Sequence, residues 1–204
     1  MHPFEEASRK ANQPTKTIIE EISAEEFKVL LEELRKQLLD ASMYFDIWEQ
    51  IWPTSHVVDV INRYKGFFLP VKSALFDQFS IKICTVTGND PRLPSFYRIF
   101  KILDTNPNLT PGVDVQSLRK RLKPHKAVLA AIKSYRNTTA AHRDVTTQVV
   151  ERKPVLFDES KRMLKEFQGI FNMVYKAAEN ATWSFQTLEH NDASSALNDL
   201  NEQR

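Results

Sequence analysis

The chain carries an arginine and a histidine six positions apart in the run Tyr135-Arg136-Asn137-Thr138-Thr139-Ala140-Ala141-His142-Arg143-Asp144. A guanidinium is charged at every accessible pH and can fork onto phosphate oxygens, while an imidazole, with an ordinary pKa of about 6.5, gives or takes a proton near neutrality. Charge stabilisation and proton transfer are the two parts needed to break a phosphodiester without a metal. The pair lies in Val115–Arg143, a stretch with no Asp or Glu and eight basic residues: Arg119, Lys120, Arg121, Lys123, Lys126, Lys133, Arg136 and Arg143. The whole chain is only +2, so everything outside that stretch sums to −6. A local positive field on a near-neutral protein predicts a polyanion at one face, with Lys126, Lys133 and Arg143 as substrate-binding cations around Arg136, Asn137 and His142.

The spacing by itself is uninformative, because the Arg and His content of the chain produces roughly one such pair by chance. Arg119 and His125 have the same separation, but Pro124 would interrupt a single helix joining them. On an ideal helix at about 100° per residue, Arg136 and His142 flank an apolar stripe of Leu129, Ile132, Val128 and Tyr135 at its two edges, about 9 Å apart along the axis. Both are then expected to be partly desolvated and able to reach a groove. Cleavage of RNA by its own 2′-hydroxyl needs a base and an acid, and this segment offers one suitable histidine. His125 lies about 25 Å from His142 on a continuous helix, so a two-fold dimer is the expected source of the second Arg136 and His142.

The elements that must hold these residues are helical by pattern. The 204 residues suffice for one domain, and only 4 are Gly, which excludes Gly-rich phosphate loops and leaves little material for a many-stranded sheet. The reading is 1–22 a polar N-terminal arm, 23–188 a helical domain of about five helices, and 189–204 a polar, frayed tail. A first long helix opens on a capping box at Ser23 and Glu26 and ends at Pro53. A second runs from Thr54 or Ser55 to Gly88 with a kink at Pro70, antiparallel to the first. A helix of two to three turns around Phe96–Leu103, a short basic helix over Asp114–Leu122, a helix starting at Pro124, and a last one from Asp158 complete the set.

Cys84 is the only cysteine and sits in an apolar stretch, which predicts a buried inert thiol and a reducing cytoplasm. No run approaches the roughly 18 apolar residues of a membrane span, and no secretion signal opens the chain. No two histidines share ligand spacing and no cysteine cluster exists, so neither a metal nor another cofactor is expected. His142-Arg143-Asp144 spells a kinase catalytic triplet, but Val149 stands where its asparagine belongs and no Gly-rich loop precedes it.

At Arg136, Asn137 and His142 the chain resembles the HEPN superfamily (higher eukaryotes and prokaryotes nucleotide-binding domains), in particular its AbiU-like abortive-infection branch. That family's signature is an Arg, four to six residues, then a His, often with a polar residue after the Arg. The similarity takes in the whole Tyr135–Asp144 run and the Thr87-Gly88-Asn89-Asp90-Pro91 turn, and spans roughly residues 25–185. It implies an all-α helical bundle that dimerises and, in active members, a metal-independent endoribonuclease with a shared site, often a toxin or antiviral effector beside an antitoxin. His142 would then transfer protons, Arg136 would bind the scissile phosphate, and Asn137 would orient substrate or His142. A non-catalytic helical dimer binding RNA, nucleotide or a partner protein is the competing expectation.

Overall fold

The computed structural model describes residues 22–51, 58–139, 157–185 and 192–202. All regular structure among them is helical. Helix α1, Ala24–Gln50, opens as its sequence requires: Ser23 Oγ accepts from the Glu26 amide at 3.2 Å, and the Ser23 amide donates back to the Glu26 carboxylate at 2.9 Å. These bonds favour the ionised acid and hold the Glu26 carboxyl below its ordinary range. From there Phe27, Leu31, Leu34, Leu38, Ala41, Phe45 and Trp48 turn into the core at helical spacing.

The second long helix is broken. Helix α2, Val58–Arg63, stops at Tyr64, and α3, Lys65–Val86, resumes with its first amides on the Tyr64 carbonyl. Pro70 was expected to mark the kink, but it lies inside α3 and the interruption comes six residues earlier. A proline ring disturbs the carbonyl four residues back, here that of Gly66, so restarting the helix at Lys65 confines the defect to its first turns. Among the packed partners of α1, α3 makes the broadest contact, in the aromatic layer of Phe45 on Phe79 (5.1 Å between centroids) and Trp48 on Phe76 (5.0 Å). Lys82 reinforces it from the rim, bonding Gln37 at 3.0 Å and Asp40 at 2.7 Å.

The turn after α3 packs tightly. A Cβ on Gly88 would meet Leu93 Cδ1 at 2.7 Å, which that side chain can relieve by shifting, and the Cys84 carbonyl at 3.1 Å, so the close approach of backbone favours glycine. Asp90 closes the turn by accepting from the Arg92 guanidinium and amide, which lowers its carboxyl pKa to about 2.

Ser95 caps α4, Phe96–Thr105, and Asp114 caps α5, Val115–Leu122. A 3-10 turn over Lys123–His125 joins α5 to α6, Lys126–Thr139, so Pro124 sits in that turn rather than at the start of the α-helix. Helix α7, Phe157–Glu179, drives Met163, Phe167, Ile170, Phe171 and Val174 into the main core. The sequence reading left residues 189–204 as a frayed tail. Asp192–Glu202 instead forms α8, whose Leu197 packs with Ile51, Val60 and Ile61 in a second, smaller core. Ala193, Leu197 and Leu200 are too sparse a stripe to stand out in so polar a segment.

Candidate active site at the end of helix α6

Helix α6 is anchored on α3 by its inner face. Val128, Ala131 and Ile132 are buried, and the Tyr135 ring meets the Phe76 edge at 4.8 Å. The Tyr135 hydroxyl donates to Asp77 Oδ1 at 2.7 Å. Asp77 is the one carboxylate in α3, so this bond selects a register between the two helices as well as stabilising them. Sequence reasoning missed it, although a tyrosine on the inner face directly before Arg136 and a lone acid in an apolar helix were both visible.

Arg136 stands in the last described turn of α6. Its Nε and Nη2 donate to Asn137 Oδ1 at 3.2 and 2.8 Å. A guanidinium has five N–H donors in a planar fork, so this side-on contact leaves the Nη1/Nη2 edge turned outward with a pair of donors suited to an oxyanion. Asn137 thus faces Arg136, while the role expected of it toward substrate or His142 involves groups outside the described residues. Arg136 is also exposed, where partial desolvation was expected. Lys133, one turn earlier, is exposed on the same side. Lys126 is exposed as well, but at the opposite end of α6, about 15 Å away by helical rise.

Beneath this turn, Cys84 is buried, and that burial pushes its thiol pKa up against the opposing charges of Arg136 and Lys133. His142 and Arg143 lie outside the described residues. The structure thus brings together Arg136, Asn137 and Lys133, sets Lys126 apart, and leaves the histidine half of the motif undescribed.

The basic stretch is less uniform than its composition. Arg119 forms a two-pronged pair with Asp104 at 2.9 and 2.5 Å, and Arg121 pairs with Glu166 at 2.5 Å. Both arginines are held charged by those bonds and are committed to α4 and α7. Lys120, Lys123, Lys126 and Lys133 are exposed, with no ion pair among the described residues. No group of three or more His, Cys, Asp or Glu able to hold a metal occurs among the described residues, and no described helix is long and apolar enough to cross a membrane.

The described residues thus form a helical bundle of the kind HEPN domains adopt, with an arginine-asparagine pair on a core-anchored helix. A family model for HEPN AbiU2 matches residues 24–198, and the chain belongs to that family. No curated protein and no solved structure matches it.

Proposed function

We propose that the protein is a metal-independent endoribonuclease of the abortive-infection type, acting as a homodimer with one shared groove. The observation that carries this reading is the fork of Arg136, side-on to Asn137 and open on its other edge, within a chain of the HEPN AbiU2 family. In the proposed reaction the ribose O2′ attacks the adjacent phosphorus as a base takes its proton. The P–O5′ bond breaks as an acid protonates O5′, leaving a 2′,3′-cyclic phosphate and a 5′-hydroxyl. His142 of one subunit is the base and its symmetry mate the acid, while Arg136 neutralises the extra charge on phosphorus. Lys133, Lys126 and Arg143 hold flanking phosphates. Apolar side chains exposed at the start of α3, Phe67 and Leu69, support a second copy beside the helix that anchors Tyr135. An antitoxin that masks the groove fits the toxin form of this reading.

The test is RNA cleavage by the full chain in excess chelator. Arg136→Ala is expected to lose about 10²–10³ in rate and His142→Ala about 10²–10⁴. Both variants cleaving like the parent would refute the assignment. The exposure of Arg136 favours one competitor, a dimer that binds RNA, nucleotide or a partner protein without cutting, since a charge-stabilising donor works best away from water. Binding of RNA with a steep salt dependence and no cleavage would establish that competitor.

A further inference from the structure

Four cations without an ion pair among the described residues of the basic stretch form a line. Lys126 and Lys133 are seven residues apart on α6, about two turns, so both project from one side, and Arg136 follows within a turn of Lys133. Before α6 comes the 3-10 turn Lys123–His125, in which residues three apart eclipse one another. That geometry brings Lys123 nearly in line with Lys126, closer than the offset of about 60° that an uninterrupted α-helix gives residues three apart. Meanwhile Arg119 and Arg121 are drawn off by Asp104 and Glu166. Lys120 stays on α5, and from the α5–α6 corner onward Lys123, Lys126, Lys133 and Arg136 make a ridge about 21 Å long by helical rise.

We infer that this ridge is a track for a single RNA strand, holding phosphates on one side of the cleavage point from Arg136 to the α5–α6 corner. The inference rests on Arg136 as the group that meets the scissile phosphate, and it adds the direction, length and form of the substrate. A stacked strand advances about 3.4 Å per nucleotide, so 21 Å corresponds to about six nucleotides. A row of lysines reads phosphates and no bases, so the track is indifferent to sequence. Duplex RNA does not fit, because the phosphates of one strand are curled around its axis and its major groove is too deep and narrow to admit a helix.

The experiment measures binding of the full chain to 2′-O-methyl oligouridylates, which lack the attacking hydroxyl and so separate binding from cleavage. Affinity is expected to rise with length to about six nucleotides and then level, with a log–log salt slope of about −2.8 for four phosphate contacts. Lys123→Gln, Lys126→Gln and Lys133→Gln should each flatten the slope by about 0.7, and Lys36→Gln, the same charge change on an exposed site of α1, should leave it unchanged. An effect of Lys36→Gln equal to the others, a plateau at two nucleotides, or equal affinity for duplex RNA would overturn the track. Strand binding as described without cleavage of unmodified RNA would sink the ribonuclease and leave the track standing. Cleavage of RNA with no length or lysine dependence would do the reverse.

Discussion

At the scale of single residues, the site depends on a phenol that does no chemistry. Tyr135 ties α6 to α3 through Asp77, and Arg136 is the next residue along the chain, so loss of that bond loosens the base from which the guanidinium projects. Tyr135→Phe leaves a half-buried carboxylate without its donor and should cost about 1 kcal/mol. Thermal melting should fall by about 2–4 °C for a chain of this size. An unchanged melting temperature would mean that water serves the Asp77 carboxylate as well as the hydroxyl does. Arg136, Asn137 and Lys133 were legible as a cluster because they are neighbours on one helix. The fate of Arg119 and Arg121 was not, since their partners stand 15 and 45 residues away and composition does not say which cations a fold consumes.

At the scale of elements, local signals were reliable where the determinants are local. The Ser23 capping box and the Gly88 stop stand where the sequence puts them, and the Ser95 and Asp114 caps, which the sequence analysis did not name, follow the same short-range chemistry. The break at Tyr64 and the order of α8 were missed because each depends on what packs against it. Leu197→Ala should therefore cost about 2–5 kcal/mol, the range for a buried leucine, and a denaturation midpoint within error of the parent would show the second core to be dispensable. The turn after α3 gives a pH signature. Asp90 has its pKa depressed from 3.8 to about 2, so its contribution is complete above 3.8 and is lost as the pH falls through about 2. Asp90→Asn should accordingly destabilise the protein at neutral pH and make no difference near pH 2. A gap that persists at pH 2 would place its origin elsewhere.

At the scale of the whole molecule, the proposed shared groove makes activity a property of association. Specific activity should fall as the protein is diluted below its dimer dissociation constant, and an excess of Arg136→Ala chains mixed with the parent should depress it further by forming mixed pairs. Activity strictly proportional to concentration, unaffected by the inactive chain, would point to a self-sufficient monomer. The fold also contains its own reporter of motion. The chain has 1 cysteine, and Cys84 is buried on α3 under the charges of Lys133 and Arg136. A maleimide can reach that sulfur only when the seam parts, so the pace of single-site alkylation times the breathing of α6 against α3, and a ligand that clamps the seam will slow the clock.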